Sequence, residues 1–153
     1  MIKNATFFES FKNAARGLAV IVKDERNIRI HISVALIVLW FARYFELTKT
    51  EWCILLITVF IVPLCEGINT AIERAVDSSV KSFDPVAGAA KDAAAAVVLI
   101  ATGMSIVIGL ILFLKPLIIS QIFQEYISSP LKLLGLIAYG IVVFLFVRKR
   151  VKA

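Results

Sequence analysis

An all-α fold embedded in a membrane is what this sequence predicts, on three observations. Of its 153 residues 60% are hydrophobic, and the mean hydropathy is +0.91, too apolar to cover a water-soluble surface with polar groups. The apolar residues fall into a few long stretches, each about the length that crosses a hydrocarbon core of roughly 30 Å as a helix. The 17 Lys and Arg stand at the ends of those stretches rather than in one cluster, which marks topology and argues against a nucleic-acid partner. The length suits one compact domain. It is too short for a transporter of two repeated halves and long enough for a small helical bundle, expected to assemble as an oligomer.

Taken in order, Phe7, Phe8, Phe11, Ala14, Ala15, Leu18 and Val22 recur at helical spacing, with Lys12, Arg16 and Lys23 at the polar positions between them. This pattern predicts an amphipathic helix over about residues 5–24, lying on the membrane surface. Glu9, Lys12 and Arg16 interrupt its apolar run, so a cleavable signal peptide is not expected. Spans are predicted at about residues 30–45, 52–72 and 93–114, with a fourth at about 131–147; the first and last are short. Three to four transmembrane helices therefore follow the surface helix. Residues 1–115 are read as the main membrane domain and 116–153 as a C-terminal extension.

Lys and Arg accumulate in cytoplasmic segments. With four spans and a cytoplasmic start, the inside holds Lys3, Lys12, Arg16, Lys23, Arg26, Arg29, Arg74, Lys81, Lys91, Arg148, Lys149, Arg150 and Lys152, and the outside only Arg43, Lys49, Lys115 and Lys132. Both termini are expected in the cytoplasm. Cys53 and Cys65 lie too far apart along one helix to bond each other and are read as packing residues. The alanine-rich run 87–96 is read as a surface for close helix approach.

Chemistry is concentrated at one helix end. Glu66, Asn69, Glu73 and Asp77 follow at offsets that place all four within about 80° of one another on a helix, forming one acidic stripe. Glu66 directly follows the apolar run 53–65, where a carboxylate is costly and usually functional. Oxygen ligands spread over about 16 Å suit a hard cation such as Mg2+ better than zinc, which favours His and Cys. Magnesium in turn points to phosphate. Lys91-Asp92, read as opening the third span, could set an ammonium against a phosphoryl group. The phosphate-binding loops of soluble nucleotide enzymes are missing from the sequence. His31, the single histidine, is read as an interfacial contact.

The run Glu66-Gly-Ile-Asn69-Thr-Ala-Ile-Glu73-Arg-Ala-Val-Asp77, followed by Ala90-Lys91-Asp92, resembles the E-x-x-N-[ST]-A-I-E-x-x-x-D … A-K-D signature of the prokaryotic diacylglycerol kinase and undecaprenol kinase family. Upstream, Arg16-Gly17, Glu25 and Arg29 fall at spacings similar to that family's surface helix and first span, so the resemblance covers about residues 7–115. It implies a small homotrimer in the inner (cytoplasmic) membrane with composite sites at the cytoplasmic boundary. These would transfer the γ-phosphoryl of ATP to the hydroxyl of a lipid alcohol, diacylglycerol or undecaprenol, with Mg2+. By motif, Glu66 is implied as catalytic base and Asn69 as its support. Glu25 and Glu73 are implied as the magnesium pair, and Arg16, Asp77, Lys91 and Asp92 as nucleotide and phosphate contacts.

Two positions depart from the pattern: Asp84-Pro85 stands where many relatives have His-Pro, and Ala94-Ala95 where diacylglycerol-specific members have Gly-Ser. The second departure leans toward the polyprenol branch. The rival reading from the residues alone is a non-catalytic membrane assembly or channel protein in which the stripe pairs with Arg26 or Arg29 of a neighbour. A lipid phosphatase needs more than one histidine.

Overall fold

The computed structural model describes residues 6–80, 82 and 84–148, and every regular element within them is helical. The helices are α1 (Phe7–Asp24), α2 (Arg26–Ala42, continued by a 3-10 turn Arg43–Phe45), α3 (Lys49–Ser79), α4 (Pro85–Phe113), α5 (Pro116–Ser128) and α6 (Pro130–Arg148). Residue 5 of the predicted surface helix lies outside the described residues, as do Lys3, Lys81, Lys149, Arg150 and Lys152 of the charge count.

Local chemistry sets the helix starts. Thr6 with Glu9, and Thr48 with Glu51, form reciprocal capping boxes: the threonine oxygen accepts the glutamate N–H, and the carboxylate accepts the threonine N–H. The bonds from the Thr6 backbone and hydroxyl hold the Glu9 carboxyl below its usual range. Asp84 caps α4, accepting from the N–H groups of Val86 at 2.8 Å and Ala87 at 3.3 Å, with Pro85 pre-set for the first turn. At the other end of α2, Glu46 takes the left-handed conformation (φ 48°) that turns the chain toward α3.

α2 with its 3-10 turn, α3, α4 and α6 are each long and apolar enough to cross a membrane, and they contain the four predicted spans. α3 and α4 extend further than hydropathy indicates. α3 continues past residue 72 to Ser79, and α4 opens at Pro85 rather than near 93. Hydropathy marks the part of a helix that sits in hydrocarbon, whereas backbone hydrogen bonding carries the helix on into polar surroundings. Lys91 and Asp92 consequently lie well inside α4, not at its start. The extension also contains α5, in the stretch before the fourth span where the sequence reading assigns no element.

The tightest packing lies between α2, α3 and α4 near the Trp40–Trp52 end. There Ala42, Leu55 and Leu112 are buried among Val38, Trp52, Val59, Ile108 and Phe113, and the Phe45 ring meets Phe113 edge-on at 4.9 Å. Elsewhere the large apolar side chains point outward, as Leu99 and Ile111 do, which suits lipid as the solvent. α1 buries none of its residues and leaves Phe7, Phe8, Phe11 and Leu18 exposed along one face, the arrangement of a helix lying on a bilayer. α6 also buries none and lies along α2, where the Tyr139 hydroxyl donates to the Ser33 carbonyl.

This up-and-down course brings the start of α2, the end of α3, the start of α4 and the end of α6 to one end of the bundle. Arg29, itself buried, ties that end together. Its Nη1 donates to the carbonyls of Val22 (3.1 Å) and Lys23 (2.6 Å) on α1, and its Nη2 to that of Val147 on α6 (3.4 Å).

Candidate functional site

The acidic stripe of α3 descends from water into the bundle. Asp77 is exposed, Glu73 half-buried, Asn69 buried, and Glu66 only 7% exposed. One helix can grade its side chains this way because residues 66, 69, 73 and 77 share a face while that face slides from polar surroundings into apolar ones. Pro63 stands one turn before Glu66 inside the continuous helix and has no N–H to give the Val59 carbonyl.

Three contacts organise the stripe. At its deep end the Glu66 Oε1 lies 3.7 Å from the Nε2 of His31 on α2. That is too long for a hydrogen bond, and no hydrogen bond among the described residues reaches the Glu66 carboxylate. In the middle the Asn69 Nδ2 donates to Glu73 Oε1 at 3.1 Å, which orients the amide and leaves the buried Asn69 Oδ1 without a partner. Turning the amide over would set an oxygen against the carboxylate, so chemistry fixes the assignment. At the shallow end the Lys91 ammonium of α4 donates to Asp77 at 2.9 Å. That bond crosses between helices and explains how Lys91 serves the stripe from the interior of α4.

Beside the stripe, Arg74 reaches back to the α1–α2 junction and donates to Glu25 (2.9 Å) and Asp24 (3.3 Å). The carboxylate of Glu25 is therefore engaged by the neighbour of Glu73. Asp92 and Arg16 are exposed, and neither has a hydrogen bond or ion pair among the described residues. Asp84, the departure from the family pattern, spends its side chain capping α4.

The sequence reading missed two participants. His31 reads from the sequence as an interfacial contact, yet its Nε2 stands 3.7 Å from the Glu66 carboxylate. Arg74 was counted only as a basic charge, yet it pins α3 to the acidic Asp24-Glu25 pair. The signal for both was a lone complementary charge at the same predicted end of a neighbouring span. His31 also lines a groove of about 350 Å³ between α2, α3 and α4, which runs past Pro63, Thr58 and Ser105 to Phe113. The groove is apolar over most of its length.

A multi-pass membrane protein whose polar site grades from an intramembrane carboxylate to an exposed Asp–Lys pair is the class this geometry defines. Residues 12–113 match the family described as prokaryotic diacylglycerol kinase, and the chain belongs to that family. It is 40% identical over 111 residues to an undecaprenol kinase of Bacillus subtilis (strain 168), a match covering 72% of this chain and 90% of that protein. It is 34% identical over 110 residues to a diacylglycerol kinase of Synechocystis sp. (71% of this chain, 63% of that one). To a diacylglycerol kinase of Helicobacter pylori (strain ATCC 700392 / 26695) it is 33% identical over 93 residues (61% and 73%). No solved structure matches it. The chain is thus a membrane lipid kinase, and its matched region ends where α4 ends.

Proposed function

We propose that the protein transfers the γ-phosphoryl group of ATP, with Mg2+, to the hydroxyl of a membrane lipid alcohol at the cytoplasmic interface of the inner membrane. The observation that carries this reading is Glu66: a buried carboxylate with no hydrogen bond among the described residues, on the face that leads up to Asp77 and Lys91 and beside the histidine that lines an apolar groove. A carboxylate kept free of donors at that depth is suited to accept a proton from a lipid hydroxyl brought in by the groove. The deprotonated oxygen then attacks the γ-phosphorus in line, and the bond to the β-phosphate oxygen breaks. Lys91 balances charge on the phosphates, while Asp77 holds its ammonium in place. Asp92 and Arg16, both exposed and unpaired among the described residues, are assigned to the nucleotide.

The donor set fits magnesium. Among the described residues no three His, Cys, Asp or Glu gather into a ready-made metal cage. Mg2+ delivered on a nucleotide, however, needs only one or two carboxylates beyond the phosphates. Glu73 supplies one, and the unpartnered Asn69 Oδ1 offers a neutral oxygen beside it. Glu25 is assigned as the second carboxylate, poised by Arg74. The bound ion supplies charge neutralisation at the transferring phosphoryl group.

The active site and both termini are assigned to the cytoplasm on the distribution of Lys and Arg. The exposed apolar faces of α3 and α4, with the small residues 87–96, support a homotrimer in which neighbouring copies complete the site. Undecaprenol is the preferred acceptor, on the Ala94-Ala95 pair and the near-uniform apolar groove. Purified protein given labelled ATP with undecaprenol and diacylglycerol in equal amounts should label undecaprenol more strongly; preferential labelling of diacylglycerol reverses the assignment.

A further inference from the structure

The extension builds a second groove that plays no part in the proposed reaction. It holds about 530 Å³, within the size range of small-molecule sites, and lies between α2, the end of α5 and α6. Leu36 and Trp40 form one wall, Tyr126 the end, and Lys132, Gly135 and Tyr139 the other wall. Trp40 and Tyr126 are at the end of the bundle away from Glu66, so this groove opens in the opposite leaflet.

Two features define its chemistry. The polar atoms within the groove are already satisfied: the Trp40 Nε1 donates to the Tyr126 hydroxyl at 2.8 Å, and the Tyr139 hydroxyl to the Ser33 carbonyl. An occupant in the body of the groove therefore needs no hydrogen bonds, which suits an acyl chain. The mouth, by contrast, is cationic. The Arg43 guanidinium stacks on the Trp40 ring at 3.8 Å and has no carboxylate partner among the described residues. Lys132 lines the groove itself, with its charge shared with Glu125. Arg stacked on an interfacial Trp beside an apolar slot is suited to a phosphate above an acyl chain. At Gly135 a Cβ would meet nothing within 4 Å, so a larger side chain there has the open space of the slot to fill.

We infer that this groove binds a glycerophospholipid with an anionic headgroup, its chain against Gly135 and its phosphate at Arg43. The site is independent of the kinase reading, because none of its residues belongs to the stripe.

Trp40 reports on it directly. The only other tryptophan is Trp52, so a Trp52→Phe protein carries a single probe. In vesicles of phosphatidylcholine carrying a minor fraction of chain-brominated lipid, brominated phosphatidylglycerol should quench Trp40 at about fivefold lower mole fraction than brominated phosphatidylcholine, the preference one interfacial cation confers. Gly135→Leu, which fills the slot, should abolish quenching beyond that of free mixing, and Arg43→Gln should remove the preference for the anionic lipid. Equal quenching by the two lipids, or a preference that survives both substitutions, overturns the proposal. So does a change of oligomeric state in Gly135→Leu, which would make the groove a contact between copies. Should Gly135→Leu fail to insert, Arg43→Gln decides alone, since that side chain is exposed and its replacement removes only its contacts with Trp40, a change common to both brominated lipids.

Discussion

Replacing Glu66 by Gln keeps the side chain's size and removes its ability to accept a proton. Glu66 is 7% exposed and packed in a helix, so the near-isosteric amide should be accommodated without a cavity. Two losses are then in competition. The contact with His31 at 3.7 Å is lost too, but it is already too long for a hydrogen bond, and its loss should cost no more than roughly fivefold in rate, about 1 kcal/mol. Loss of general-base catalysis costs about 100-fold or more, close to 3 kcal/mol. The second dominates, so kcat for lipid phosphorylation should fall by about 100-fold while the KM for ATP and the magnesium requirement stay within about twofold. His31→Gln separates the two effects, because it ends the attraction and keeps the base; its rate should fall no more than about fivefold. The assay is steady-state transfer of label from ATP to lipid in vesicles, from about pH 6 to 8. Near wild-type turnover in Glu66→Gln across that range refutes the assignment and makes Asp92 the next base to test. Equal losses in both variants would show that the pair, rather than the proton acceptor, matters.

Other expectations follow from the same geometry. Glu73→Gln and Glu25→Gln should each raise the magnesium concentration for half-maximal rate by roughly tenfold or more, and unchanged metal dependence in both removes them as ligands. Deleting residues 116–153 should leave measurable kinase activity, because the stripe and its partners lie upstream; total loss in a protein that still inserts would show that the Arg29–Val147 tie completes the site. A reporter fused after residue 153 should be active only in the cytoplasm, and activity on the other side defeats the four-span orientation. Lys132 holds the Glu125 carboxyl below its usual range, chiefly through its hydrogen bond. The α5–α6 tie is thus present above the ordinary carboxylate pKa and is lost as pH falls through the lowered one. Proteolysis of the α5–α6 junction should therefore accelerate in acid, and Glu125→Gln should abolish that acceleration.

The spans were legible because hydropathy and helix length are both set by the bilayer. Helix ends were less so, since Glu73–Ser79 and Val86–Asp92 are too polar or too small to score as spans yet continue the helices. The stripe could be read in full, because residues 66, 69, 73 and 77 share one helix and its period is known. Contacts between helices could not. His31–Glu66, Arg74–Glu25 and Lys91–Asp77 join segments whose relative depth depends on packing. Asp84 stands out in the sequence only as a departure from the family pattern, and its role as a cap follows from α4 beginning at Pro85.

In the proposed reaction the buried end of the stripe meets a lipid hydroxyl and the exposed end meets the nucleotide. The most direct measurement is transfer of label from γ-labelled ATP into the organic-phase lipid, by the purified wild-type protein in vesicles containing a lipid alcohol. Labelled lipid phosphate should form, should require Mg2+ and should be lost in Glu66→Gln. Release of labelled inorganic phosphate with no labelled lipid, or no reaction at all from a folded, inserted protein, would contradict the proposed reaction.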